Sequence, residues 1–392
     1  MEHIVHLLFA LIRFELFSDP FPEDLKAQLT EENLSALYAL SDKHDLAHLI
    51  GDALYKLGML PKDSPTAAKF QKSQVLALYR YTKLEHERKQ IFRVFEENSI
   101  SFVPLKGTII RSLYPQPHLR TSCDIDILIH REDTDRAIQQ LSACLKYRTN
   151  PELIHFHDVS LLSPGDTHLE LHFTLEENKD HLDRVLSKSW DYCSPIEEGR
   201  SEHHQSPEFF IFHHIVHMAL HFLGGGCGIR PLADLYLLRK KMPYEESIVL
   251  DLCSKCGMST FYTQAKALSD VWFGHQLHNS TTQKMEVFIL HGGVYGMIDN
   301  AVAIRQKKRG GSLSYMLSRI FMPYRHLKVR YPILVKHKWL FPVMTIRRWF
   351  SLLLSPVRRK RVQKELKISN SMTQETQENV GALLSELGLE QA

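Results

Sequence analysis

Asp124 and Asp126 stand one residue apart in the apolar run Cys123-Asp-Ile-Asp-Ile-Leu-Ile129. Strand side chains alternate between faces, so both carboxylates emerge on one side while Ile125 and Ile127 turn to the other. Two neighbouring anions repel, and a fold that holds them together on a hydrophobic strand usually supplies a cation between them. Two carboxylates on one face can bridge two divalent ions, an arrangement that activates an attacking oxygen and neutralises a leaving phosphate. The competing reading is an exposed strand whose outward positions happen to be acidic. The apolar flanks favour the metal.

Glu170 is the third candidate. It sits in His168-Leu-Glu-Leu-His172, whose alternation puts His168, Glu170 and His172 on one face. An antiparallel neighbour of the Asp124 strand would set Glu170 beside the pair as metal ligand or general base, with the histidines as flanking polar groups. A zinc-binding His-x-Glu-x-His surface, the core of a zinc hydrolase, is the rival. Upstream, Lys106-Gly107-Thr108 precedes a short helix. Glycine lets the backbone approach a phosphate, and a helix N-terminus offers free N–H groups. Lys106 adds a point charge, and Arg120 a forked one suited to phosphate oxygens. Further on, His213, His217 and His221 recur every four residues and line one helix face. They read as a polar wall facing a nucleotide, as a zinc site, or as core histidines. Arg230 and Asp234 lie one turn apart, the spacing of an intrahelical ion pair.

Leu105-Lys-Gly107, Arg120, Asp124-Ile-Asp126 and Leu169-Glu-Leu-His172 together resemble the uncharacterised nucleotidyltransferase family of bacteria, within the DNA-polymerase-beta-like superfamily. A later cluster, His217-x-x-x-His221, Gly226-Cys-Gly-Ile-Arg230 and Asp234, is similar to the helical signature of that family. The resemblance covers about 101–235. It implies a small mixed sheet, with Asp124, Asp126 and Glu170 as catalytic metal ligands for two Mg2+ or Mn2+ ions. It places Lys106, Gly107, Thr108, Arg120, His217, His221, Arg230 and Asp234 around the nucleotide. The implied reaction transfers a nucleoside monophosphate from a nucleoside triphosphate such as ATP to an acceptor that the sequence does not identify. The alternatives are a catalytically inactive nucleotide-binding scaffold and a toxin-like enzyme modifying tRNA or protein. The Lys-Gly-Thr turn differs from the Gly-Gly or Gly-Ser of the wider superfamily, and its distance to the acids is longer.

The elements that must position these residues follow from the pattern of apolar positions. Residues 1–98 read as a helical region, in which 67–98 carries Phe70, Val75, Leu76, Tyr79, Phe92 and Val94 as apolar positions. Residues 99–200 read as the α/β core. Its strands are expected at 100–105, 123–129, 154–162 and 168–174, with helices at 108–114 and 133–147 and a turn at 163–166. Residues 201–304 read as a helical domain completing the nucleotide site, with a helix at 209–223 closed by Gly224-Gly-Gly226. The expected class is therefore α+β, a small mixed β-sheet core flanked by N-terminal and C-terminal helical regions.

The formal net charge of +3 conceals an asymmetry. Residues 305–367 hold 18 Lys and Arg against one acid, Glu365, whereas residues 1–304 hold 30 basic and 40 acidic residues. The basic stretch is rich in aromatics and suits an anionic membrane surface or a nucleic acid. Residues 368–392 form an acidic polar tail with a helix from 379. Six cysteines in 392 residues are no disulfide framework, and the single Cys253-x-x-Cys256 lacks a second pair for zinc. No secretion signal and no membrane-spanning run is evident. The expected compartment is the cytoplasm, with peripheral attachment to a membrane through 305–367 as the variant.

Overall fold

The computed structural model describes residues 2–154, 156–293, 300–302, 304, 321–322, 324, 327, 331, 333–354 and 374–390. The sequence readings for 305–320, for the basic run at 358–361 and for the start of the acidic tail lie outside these residues.

Five helices lead: α1 (Glu2–Phe17), α2 (Glu23–Lys26), α3 (Glu31–Lys43), α4 (Ala47–Lys56) and the 33-residue α5 (Pro65–Glu97). Ser64 caps α5 by accepting the Ala67 N–H, and Pro65 occupies the first turn, where a missing N–H costs nothing. α5 packs through Phe70 against the N-terminal helices and through Leu84, Ile91, Phe92 and Phe95 against the sheet. Of the apolar positions expected on it, Phe70, Phe92 and Val94 are buried, but Val75, Leu76 and Tyr79 are exposed. The middle of this long helix spans between two packed ends, so its apolar periodicity overstates what it buries.

The sheet has five strands in the order β1-β2-β5-β4-β3. They are β1 (Phe102–Pro104), β2 (Asp124–Ile129), β3 (Arg148–Ile154), β4 (Asp158–Leu162) and β5 (His168–His172). β2 pairs antiparallel with β1 and parallel with β5, while β4 runs antiparallel to both β5 and β3. The sheet is therefore mixed, as expected. Between β1 and β2 lie the short α6 (Gly107–Ile110) and two 3-10 turns, and between β2 and β3 lies α7 (Thr134–Leu145). One sheet face, carrying Ile125, Ile127, Ile129, Leu169 and Leu171, packs with Ala137 and Leu141 of α7 and with α5.

α8 (Asp180–Leu186) and a hairpin of β6 (Cys193–Pro195) and β7 (His203–Gln205) lead to the second helical group. It consists of α9 (Pro207–Leu223), α10 (Arg230–Lys241), α11 (Glu246–Lys255), α12 (Ser259–Gly274) and α13 (Ser280–Gly292). α9 is apolar nearly all round, the signature of a helix enclosed by its neighbours, and Phe209, Phe212, Ile215 and Phe222 are fully buried. These helices and the N-terminal ones share one hydrophobic cluster, which also takes in Val103, Leu105 and Leu128 from the other sheet face. Late in the chain come α14 (Ile333–Lys336), α15 (Phe341–Leu354) and α16 (Gln374–Glu386). α16 returns to the main cluster through Val380, Leu383 and Leu384, whereas Leu334 and Met344 belong to a small separate one. Cys253 and Cys256 are free thiols buried in the main core. Among the described residues, no helix is long and apolar enough to cross a membrane.

Candidate active site

β2 and β5 carry the acids. Their parallel register sets Asp124 opposite His168, Asp126 opposite Glu170 and Leu128 opposite His172. The sequence reading placed Glu170 on an antiparallel neighbour. The pairing is parallel because β3 and β4 are threaded to the outside and the chain returns to β2 in the same direction. The even register still leaves Asp124, Asp126 and Glu170 on one face, since the partners share side-chain parity.

Three carboxylates then converge. The ligating atoms of Asp124, His168 and Glu170 lie within 4.8 Å of one another, as do those of Asp126, Glu170 and His172. Glu170 belongs to both groups. His168 and His172 fall on opposite sides of it, and His168 also makes a 3.1 Å hydrogen bond to the Ser160 hydroxyl. The strand motif thus divides between two clusters, which disfavours a single zinc held by His168, Glu170 and His172. A third group, His157, Asp158 and His172, shares His172 with the second, with Asp158 opposite His172 in the β4–β5 register.

Charge is unevenly balanced here. Burial opposes the charge on Asp126, but Lys106 Nζ at 3.6 Å and His172 Nε2 at 3.2 Å overcome it and hold the carboxyl far below its usual range. Burial likewise opposes a charged Lys106, and Asp126, Glu170 and Asp124 outweigh it and raise its pKa. His172 is raised in the same way, burial being outweighed by hydrogen bonds to Asp126 and Glu170. Asp124 goes the other way: burial, then repulsion by Asp126 and Glu170, push it up to about 6. The cluster thus holds more negative charge than its own cations neutralise. This donor set, oxygen-rich with flanking imidazoles, fits a divalent cation.

Lys106 reaches Asp126 through a strained turn. Its φ of 39° is unusual for a residue with a side chain, and the turn is held by Leu105 N–H donating to the Asp126 carbonyl and Ile110 N–H to the Lys106 carbonyl. The Thr108 N–H is spent inside the turn on the Leu105 carbonyl. Gly107 has a packing reason of its own: a Cβ there would come within 2.6 Å of the Arg120 guanidinium.

Arg120 is buried and directed at Asp234, with Nε and Nη2 donating to the carboxylate at 2.9–3.2 Å. Tyr114 Oη donates to the same carboxylate at 2.7 Å. Arg230 turns instead to Asp45 Oδ2 and the Thr121 carbonyl, each at 3.0 Å. The local Arg230–Asp234 pair suggested by spacing is thus replaced by two long-range ones. Both fasten the loop that delivers β2, as does the Arg111 contact to Ser122. Arg120 and Arg230 therefore have carboxylate partners within the protein, in place of the phosphate contacts expected from sequence.

A cavity of about 370 Å³ opens beside the acids, lined by Lys106, Glu170, His172, His157, Thr174, Glu176 and Glu177, and by His213, His217 and His221 of α9. The α9 imidazoles face it from above, with 3.2 Å between the Nε2 atoms of His217 and His221. Burial, and next the Lys106 charge, lower all three pKa values, His213 to about 3. They stand as neutral imidazoles, able to donate or accept but adding no charge. His214 points away and bonds the Pro231 carbonyl at 2.8 Å. The α9–α10 connection needs its glycines, since Gly225, Gly226 and Gly228 all have positive φ.

Sequence reasoning passed over Asp45, Tyr114, Thr121, His157, Glu176 and Glu177. A signal existed for the two glutamates, which follow the Glu170 strand at the end where a cavity forms. Asp45 and Tyr114 act across 185 and 120 residues and leave no local pattern.

Comparison with known families places the chain among the nucleotidyltransferases. Residues 30–274 match the model of the family described as uncharacterised nucleotidyltransferase; the match spans more than half of the chain, which therefore belongs to that family. It takes in every candidate site residue together with Asp45 and ends with α12, short of the basic stretch. No curated protein and no solved structure matches the chain.

Proposed function

We propose that the chain moves a nucleoside monophosphate from a nucleoside triphosphate to an acceptor hydroxyl and releases pyrophosphate, with Asp124, Asp126 and Glu170 holding Mg2+ or Mn2+ at two positions. The observation that carries this reading is the pair of three-ligand groups that share Glu170, a residue that lines one cavity together with His172 and Lys106. Bound there, the metal would activate the attacking oxygen and neutralise charge on the leaving phosphate. Lys106 ends in the cavity with its charge secured by three carboxylates, so it can hold a phosphate oxygen. His172 donates to Asp126 and fixes that carboxylate's orientation. Glu170, less buried than Asp126, can also receive the acceptor's proton. His217 and His221, neutral on the opposite wall, hydrogen-bond the base, the ribose or the acceptor without opposing the metal.

Gly107, Arg120, Arg230 and Asp234 serve the site by position, holding the Lys106 turn and the β2 loop against α10. On this reading the chain stands within the DNA-polymerase-beta-like superfamily. The test is transfer of label from nucleoside triphosphate carrying it at the α-phosphate or the γ-phosphate, with a cell extract as the source of acceptor. Label from the α position should appear in product only with a divalent cation. Asp126→Asn and Glu170→Gln should each lower the yield by at least about a hundredfold. Transfer from the γ position instead would make the enzyme a kinase and end this reading.

A further inference from the structure

The late helix α15 lies outside the family match and presents an unusual surface. Val343, Ile346 and Phe350, spaced three and four apart, share one face and are 51%, 48% and 61% exposed. On the other face Met344, Thr345 and Arg348 are buried, Met344 packing with Leu327 and Leu334. Just before α15, Trp339 is 74% exposed, and Ile333 of α14 is also exposed. A helix in water normally buries its apolar face and wets the polar one. Here part of the apolar surface is turned out. The charged residues exposed beside it, Lys336, Lys338 and Arg347, are all cations. From 305 to 364 the sequence has no Asp or Glu.

The chemistry of the surface selects the partner. Cations alone would suit any polyanion, and Trp339 and Phe350 could stack on bases. Val343, Ile346 and Ile333 offer nothing to stack, and their exposed aliphatic groups gain only from an apolar phase. Exposed aliphatic side chains and an indole, accompanied by lysines and an arginine in a stretch of sequence without acids, match a bilayer interface bearing anionic headgroups. We propose that the Val343, Ile346 and Phe350 face of α15, together with Trp339 just before it, lies in the surface of an anionic membrane, with Lys336, Lys338 and Arg347 at headgroup level. The attachment is interfacial. It rests on α15 and its flanks alone and is independent of the chemistry assigned to the acidic site.

The test is flotation of the full chain with two kinds of vesicle, phosphatidylcholine alone and phosphatidylcholine mixed with phosphatidylglycerol. The chain should float with the mixed vesicles, stay in solution with the neutral ones, and be released in part as salt rises. Val343→Glu with Phe350→Glu should weaken partitioning by about tenfold or more, since two apolar anchors are replaced by charges the lipid repels. Trp339→Ala should weaken it less. All three positions are exposed, and an unchanged circular dichroism melt checks that the fold persists. Retention of full lipid binding by the double variant would overturn the proposal, as would failure to float with mixed vesicles. Tighter binding to a single-stranded oligonucleotide than to mixed vesicles, lost with Trp339→Ala, would overturn it in favour of nucleic acid.

Discussion

Asp124 and Asp126 look equivalent in sequence and are opposites in the fold. Asp126 has Lys106 and His172 as partners, whereas Asp124 meets burial and two like charges. Substitution should separate them in metal-free protein. The folded-state pKa of Asp124 is raised, so the folded state favours its protonated form; stability is lost as pH climbs from about 4 to about 6. Asp124→Asn removes that penalty, and above pH 6 in chelator the variant should be more stable by about 1–3 kcal/mol in denaturant titrations. Asp126 has the reverse sign, its stabilisation being present at neutral pH and lost only in acid. Asp126→Asn leaves Lys106 and His172 without their closest anion and should cost about 3 kcal/mol. Equal effects from the two substitutions would contradict this electrostatic picture. The pairing of the acids was legible from their one-residue spacing and apolar flanks. Their inequality was not, because it depends on which cations the fold brings to each.

At the level of elements, the turn into α6 and the start of α10 are joined through one buried carboxylate. Asp234 holds Arg120, and Arg120 fills the space where Gly107 lacks a side chain. Gly107→Ala should therefore displace a guanidinium that has nowhere to go, costing about 1–3 kcal/mol and weakening nucleotide binding, both measurable by melting with and without ligand. Asp234→Ala should be harsher, about 3–5 kcal/mol, since it strands Arg120 and removes the acceptor of Tyr114. Element positions were largely readable: β2 and β5, α9 and the 163–166 turn fall where alternation, helical period and breakers placed them. The antiparallel neighbour and the local Arg230–Asp234 pair differ from the structure for a shared reason. Each depends on which distant element lies alongside, and spacing within one element carries no such information.

On the scale of the whole molecule, helices before and after the sheet share one core. Leu11 of α1 and Trp272 of α12 lie in the same cluster, and Phe9 stacks on Trp272 with ring centres 4.6 Å apart. Leu11→Ala and Trp272→Ala should each cost about 2–5 kcal/mol and lower the same calorimetric transition. Two separate transitions, with only one moved by each substitution, would show that the N-terminal and C-terminal helices fold apart. The basic composition of 305–367 was plain in the sequence, but the outward turn of Val343, Ile346 and Phe350 needed coordinates. It follows from which face of α15 Leu327 and Leu334 cover.

The central claim is that three carboxylates and Lys106 form a metal-dependent nucleotide site. Equilibrium binding of a non-hydrolysable nucleoside triphosphate, titrated with and without Mn2+, tests it without an acceptor. The account predicts binding that requires the metal and that Asp126→Asn weakens by about a hundredfold or more. Nucleotide binding of unchanged strength in chelator, or in the Asp126→Asn protein, would contradict it.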